Sequence, residues 1–146
     1  MPHLSISRAP EGWILPLTVG VKGATTALLA AAGQPIPPPQ LIRGLIDTGT
    51  DVTGISPAVL ARLQLGPIRH HSTQALSGQV AVRLYEISLT IPGTGPPARP
   101  LMVLDRLIVM GLPSPLPDID ALLGMDVLNH LLLILDGPRG ELTVSD

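Results

Sequence analysis

Leu45-Ile46-Asp47-Thr48-Gly49-Thr50-Asp51 is the stretch of this sequence that decides the fold. Two apolar residues lead directly into an acid, a hydroxyl residue and a glycine, and a second acid follows. An aspartate at the end of a buried strand is costly unless its carboxylate is hydrogen-bonded or shared. The Thr48 hydroxyl can fix such a loop, and Gly49 allows a close approach that a side chain would block. The stretch therefore predicts a specialised loop at the end of a buried strand.

Composition limits the classes of protein that this chain can form. The 146 residues include 17 prolines and 15 glycines, yet 45% of the residues are apolar. This combination favours short strands joined by many turns over a helical bundle. The formal charge of −2 and the absence of a basic stripe argue against a nucleic-acid partner. No apolar run reaches the roughly 18 residues of a membrane span.

Two further absences bear on the compartment and the chemistry. The sequence has no cysteine, which excludes disulfides, thiolate metal sites and cysteine nucleophiles. Its first residues lack the charged and apolar regions of a secretory signal. We therefore expect a cytoplasmic protein. His70 and His71 are adjacent, and neighbouring side chains on a strand point to opposite faces, so we expect surface histidines and no metal site.

The remaining segments predict short strands, turns and one clear helix. Residues 1–12 have no strong pattern and are expected to be a loose lead-in to one domain over residues 1–146. Ser56-Pro57 predicts the start of a helix that runs to about Leu65. Strands are expected at 13–21, with a hairpin partner at 25–31, and at 41–46, 101–109, 119–123, 131–135 and 142–144.

A change of phase in the apolar pattern predicts a projecting hairpin. Val80, Val82 and Leu84 alternate with polar residues, and the alternation then moves to the other parity from Tyr85 to Ile91. A strand whose buried face switches must leave one sheet or carry a bulge. Because the turn signal Ser77-Gly78 precedes this strand, we expect a hairpin tip that extends beyond the core.

The loop at 45–51 resembles the active-site loop of aspartic proteases, and the order of features resembles the single-domain, retropepsin-like branch of that family. Gln74-Ala75-Leu76-Ser77-Gly78-Gln79 stands in the position of the family's flap. Ala121-Leu122-Leu123-Gly124-Met125-Asp126-Val127-Leu128 resembles its second apolar-apolar-glycine element and C-terminal helix. The resemblance implies an all-β, retropepsin-like acid-protease fold: a closed barrel or sandwich with a flap hairpin and one or two short helices.

The resemblance also implies an activity, that of an aspartic endopeptidase. Such an enzyme needs two carboxylates on one water, one accepting a proton while the other donates. The sequence has a single Asp-Thr-Gly, so Asp47 is expected to meet Asp47 of a second subunit in a homodimer. The residues after 130 are expected to form the dimer sheet. No metal or other cofactor is required.

The family likeness assigns further roles around Asp47. Thr48 and Gly49 belong to the active-site loop. An extended peptide or protein substrate is expected to contact Gly49 and Asp51 on one side and the flap on the other. The flap residues assigned to the substrate are Leu76, Ser77 and Gly78. Apolar subsites are expected, since Leu, Ile and Val are the abundant side chains.

The sequence departs from the viral pattern after the second glycine, in the flap, in the helix at 56–66 and in the linkers at 32–40 and 92–100, and two other interpretations stay open. Viral members carry an arginine after the second glycine, which pairs with the acid that follows Asp-Thr-Gly. Here that position is Met125, so Asp51 must find another partner or stay solvated. The flap has one glycine, Gly78, where viral enzymes have several. The alternatives are a non-catalytic dimerisation or peptide-binding module on the same fold, and a monomeric β-barrel with an accidental Asp-Thr-Gly.

Overall fold

The computed structural model describes residues 2–95 and 97–146, which form ten strands and three short helices. Met1 and Pro96 lie outside the described residues. In chain order the elements are β1 (His3–Ser7), β2 (Ile14–Gly20), α1 (Gly23–Ala31), β3 (Gln40–Ile46), β4 (Gly54–Ile55), α2 (Pro57–Arg62), β5 (Arg69–Ala75), β6 (Gly78–Ile91), β7 (Met102–Gly111), β8 (Ala121–Leu123), α3 (Met125–Leu128), β9 (Leu132–Asp136) and β10 (Glu141–Ser145).

Six of the strands close into a barrel in the order β2-β3-β8-β4-β7-β6. The barrel closes where Thr18–Gly20 of β2 pairs with Ser88–Thr90 of β6. Pro16 lies in the part of β2 that pairs with β3 alone, where its missing N–H costs no ladder hydrogen bond. Closure removes the open edges of a sheet. The predicted all-β closed fold is confirmed.

The barrel interior is aliphatic. Alternate residues of β2 and β6 point inward and are fully buried: Leu15, Leu17, Val19, Ile87, Leu89 and Ile91. Burying each such side chain stabilises the fold by about 1.5–3 kcal/mol. Gly44 on β3 makes room for this packing, because a Cβ there would lie 2.6 Å from Cδ1 of Leu17.

Strand β6 changes its buried face where the sequence predicts it. The less exposed positions are even-numbered from Gly78 to Val82, of which Val82 is buried, and the buried positions are odd-numbered from Tyr85 to Ile91. Residues 78–84 pair with β5, whereas residues 84–91 pair with β7, with a register shift between Ile87 and Leu89. The β5–β6 hairpin therefore extends beyond the barrel, as the phase change requires.

Three predicted segments differ from the structure. Residues 3–7 are not a loose lead-in, because β1 pairs with β10 from His3↔Ser145 to Ser7↔Glu141. Residues 25–31 are not a hairpin strand but most of α1, since three alanines and two leucines in this stretch favour a helix. Helix α2 begins at Pro57 as predicted but ends at Arg62, and Ser56 makes no side-chain cap hydrogen bond.

A second, three-stranded sheet has the order β1-β10-β9. Leu142 and Val144 of β10 are buried in the same hydrophobic core as the barrel. The predicted hairpin formed by 131–135 and 142–144 is confirmed as β9 and β10. Leu132, Ile134 and Leu135 of β9 are each more than half exposed. No helix in the described part of the chain is long and apolar enough to cross a membrane.

Candidate active site

Asp47 stands at the end of barrel strand β3, one residue after Ile46 pairs with Leu123 of β8. Its backbone N–H donates to the Leu123 carbonyl at 3.0 Å, which fixes the loop to the end of the barrel. Asp47 is half-buried as a residue, and its Oδ1 accepts a hydrogen bond of 2.9 Å from the Gly49 N–H. Its Oδ2 accepts no hydrogen bond from the described residues, so one oxygen is left for water or a ligand.

The segment 124–126 holds the other side of the loop. The Met125 N–H donates to the Thr50 carbonyl at 2.8 Å, and the Asp126 N–H donates to the Asp51 carbonyl at 3.1 Å. Gly124 is required for this close approach, because a Cβ there would lie 2.9 Å from the Thr50 carbonyl oxygen. The Asp-Thr-Gly loop and the Leu122-Leu123-Gly124 element therefore meet in space.

Sequence reasoning missed the residues that lock this contact, Thr53 and Asp126. The Thr53 hydroxyl, which is fully buried, donates to Asp126 Oδ1 at 2.7 Å and accepts from the Gly124 N–H at 3.0 Å. The Thr53 N–H donates to Asp126 Oδ2 at 3.0 Å. The sequence features that could have indicated this contact are Thr53, shortly after Asp-Thr-Gly, and Asp126, two residues after Gly124.

Asp51 stays solvated, which is the second of the two outcomes expected from the sequence. Its side chain is exposed and has no hydrogen bond or ion pair to any residue in the described ranges. Met125 supplies no charge to replace the arginine of the viral pattern. Asp51 therefore keeps a solvated carboxylate in the loop that follows β3.

An apolar cavity of about 320 Å³ lies beside Thr48. It opens between the end of β3 and the second sheet, and its lining residues are Trp13, Ile46, Thr48, Leu133, Leu135 and Leu142. Leu133 and Leu135 share one face of β9 and line the cavity, whereas the exposed Leu132 and Ile134 lie on the opposite face of that strand. The loop after β3 and the second sheet thus share this cavity.

The active-site loop and strand β5 face each other across a groove of about 360 Å³, which we name the Asp51 groove. Its lining residues are Gly49, Thr50, Asp51, Val52, His71, Thr73, Gln74 and Met110. Most of them are polar, whereas the sequence predicts apolar subsites for a substrate. The predicted hairpin residues Leu76, Ser77 and Gly78 form the tip of β5–β6 and do not line it.

The hairpin tip is a tight two-residue turn. Ala75 pairs with Gly78, so Leu76 and Ser77 are the turn residues, and the Leu76 side chain is fully exposed. Gly78 has a φ of 112°, a conformation that side-chain-bearing residues rarely adopt.

Charged side chains away from the Asp47 loop form ion pairs with one another. The Glu86 carboxylate accepts hydrogen bonds from Lys22 and Arg106, and these cations lower the pKa of Glu86 despite its burial. Within residues 2–95 and 97–146, no three His, Asp or Glu side chains are grouped to hold a metal ion. His70 and His71 are both exposed, as predicted.

Comparison with protein-family models finds no match, and comparison with curated proteins finds none. Among solved structures, the chain is similar to the crystal structure of a retropepsin-like aspartic protease from Rickettsia conorii. The TM-score is 0.60 at 14% identity, over 97% of this chain and 89% of that one. It is also matched to the retroviral protease-like domain of Ddi1 from Leishmania major, with a TM-score of 0.41 at 11% identity over 90% and 92% of the two chains.

Proposed function

We propose that this chain, which has the retropepsin-like fold predicted from its sequence, is an aspartic endopeptidase that acts as a homodimer. The observation that carries the proposal is the position of Asp47. Asp47 is half-buried and directly follows a barrel strand. Its carboxylate accepts a hydrogen bond from the Gly49 N–H, its own N–H donates to the Leu123 carbonyl, and its Oδ2 accepts no hydrogen bond from the described residues. A carboxylate fixed in this way is suited to orient a water molecule.

A second subunit is needed because the sequence contains a single Asp-Thr-Gly. Two features support a partner next to Asp47: the apolar cavity beside Thr48, and the exposed leucines and isoleucine of β9. A copy of the chain that covered both would remove this apolar surface from water and pair the free edge of β9. A two-fold axis would then bring the Asp47 side chains together.

The proposed reaction adds water to a peptide bond without a covalent enzyme intermediate. The ionised Asp47 takes a proton from the water as the water oxygen attacks the carbonyl carbon of the peptide. At the same time the protonated Asp47 of the other subunit gives its proton to the carbonyl oxygen. Collapse of the resulting diol breaks the C–N bond, and the leaving nitrogen receives a proton from the pair. One shared proton suffices, because two adjacent carboxylates do not both ionise readily.

An extended peptide fits between the active-site loop and the β5–β6 hairpin, which we propose as the flap. In that position the peptide would lie along the groove as an added strand, with Gly49 offering backbone groups. The tip residues Leu76, Ser77 and Gly78 would reach the substrate by closure of the hairpin.

The test is Asp47→Asn, assayed on a mixture of fluorogenic peptides, with Asp105→Asn as the matched control on an exposed acid of β7. We expect Asp47→Asn to lose cleavage while its circular dichroism and size in solution stay those of the wild type. Asp105→Asn is expected to cleave normally. Peptide cleavage by Asp47→Asn at the wild-type rate would contradict the proposal. Peptides that bind but are never cleaved by the wild type would favour a peptide-binding module.

A further inference from the structure

The Asp51 groove has an unusual charge balance for a peptide-binding surface. Among its lining residues, Asp51 is the only acid, and none is a lysine or arginine. Its opposite wall is formed by His71 and Thr73, which share one face of β5 because they are two residues apart. Val52 and Met110 contribute apolar surface. The groove therefore combines one acid with polar and apolar walls that contain no lysine or arginine.

The charge of Asp51 is not compensated within the described part of the chain. The ion pairs there employ Lys22, Arg43, Arg106 and Arg139 with other acids. Arg69 lies two residues before His71 on β5 and is not among the residues that line the groove. Met125, at the position where the viral pattern has an arginine, is uncharged. A carboxylate that is exposed in a groove and lacks a partner is available to a cationic ligand.

We propose that the Asp51 groove is a subsite that selects a basic side chain, lysine or arginine, of the bound peptide. This inference rests on the proposed endopeptidase function and names the substrate class of that site. Side chains of an extended peptide alternate in direction, so one residue can place its cation against Asp51 while its neighbours point away. A solvent-exposed ion pair of this kind supports a preference of up to about five-fold, and partial exclusion of water by the hairpin increases it.

The experiment compares peptides that differ at one position at a time in lysine, leucine or glutamate. With the wild type, kcat/KM is expected to be highest for lysine at one position, about five-fold over leucine and more over glutamate, and the ratio is expected to fall with added salt. Asp51→Asn is expected to bring the lysine-to-leucine ratio close to one, whatever its effect on the absolute rate.

A second variant keeps the inference testable if Asp51→Asn fails to fold. His71→Arg places a cation across the groove from Asp51 without altering the active-site loop, and it should also remove the preference for lysine. His70→Arg is the matched control, because it makes the same change in net charge on the opposite face of β5. It is expected to retain the wild-type ratio. Equal effects of His70→Arg and His71→Arg would overturn the inference in favour of a general charge effect.

Binding separates this inference from the proposed function. Fluorescence anisotropy of the same labelled peptides with Asp47→Asn measures the preference without cleavage. If the wild type cleaves nothing but the lysine peptide still binds more tightly in an Asp51-dependent way, the endopeptidase proposal fails and the subsite stands. If peptides are cleaved with no lysine preference at any position, or if none of the peptides binds, the subsite is refuted.

Discussion

The buried Thr53 hydroxyl links the two halves of the candidate site, and its removal by Thr53→Val isolates that link. Valine has nearly the same shape, so packing is retained while the hydroxyl is lost. The Gly124 N–H, which is buried, then loses the hydrogen bond of 3.0 Å that the structure gives it. Asp126 loses one hydrogen bond but keeps those from the backbone N–H groups of Thr53 and Val127.

The magnitude follows from these two losses. Leaving a buried N–H without a partner costs about 1–3 kcal/mol, and a hydrogen bond to a carboxylate contributes about 1.5–3 kcal/mol. Because Asp126 stays partly satisfied, we expect a total loss near the lower end, about 2–4 kcal/mol of unfolding free energy. A native domain is stable by only about 5–15 kcal/mol, so the loss is large and corresponds to about 10 °C in Tm.

The assay is urea unfolding followed by circular dichroism, at one fixed protein concentration because dimerisation would otherwise alter the apparent stability. Thr90→Val is the control: it makes the same chemical change in barrel strand β6, where the described structure gives the threonine no side-chain hydrogen bond. The control should change the unfolding free energy by less than about 0.5 kcal/mol. Equal losses in the two variants would refute the view that the Thr53 hydroxyl holds the site together.

Three further predictions address the ion cluster, the hairpin and the assembly. Lys22 and, to a smaller extent, Arg106 lower the pKa of Glu86 in the folded chain. The unfolding free energy of the wild type should therefore exceed that of Glu86→Gln by its full amount above the ordinary pKa of 4.5, and the difference should shrink as pH falls through the lowered pKa. A difference that stays constant down to acid pH would contradict this. Gly78→Val should reduce peptide cleavage far more than thermal stability, since a φ of 112° is strained for valine and the exposed tip adds little to the core; equal losses would make the hairpin structural. Specific activity should fall on dilution as sedimentation shows the dimer dissociating, and undiminished activity of a monomer would rule out a shared site.

The sequence by itself determined the features that short-range patterns encode. Asp47-Thr48-Gly49 at the end of an apolar run identified the loop, and the change of parity after Leu84 located the hairpin. Both features are properties of residues that are adjacent in the sequence. The parity change can be recognised because side-chain direction on a strand alternates with a period of two. The interpretation of 25–31 as a strand failed for a related reason: the short apolar run fits a strand or a helix, and propensity and tertiary contacts decided for α1.

Only the tertiary structure decided which distant residues complete the site. Thr53 and Asp126 are 73 positions apart, and nothing local in either residue specifies the other as its partner. β1 is a strand because β10 pairs with it, which a weak sequence pattern at 3–7 does not reveal. The polar character of the Asp51 groove likewise arises where His71 comes to face Asp51 across space. Local patterns fix the strands and turns, whereas the closure of the barrel determines which side chains meet.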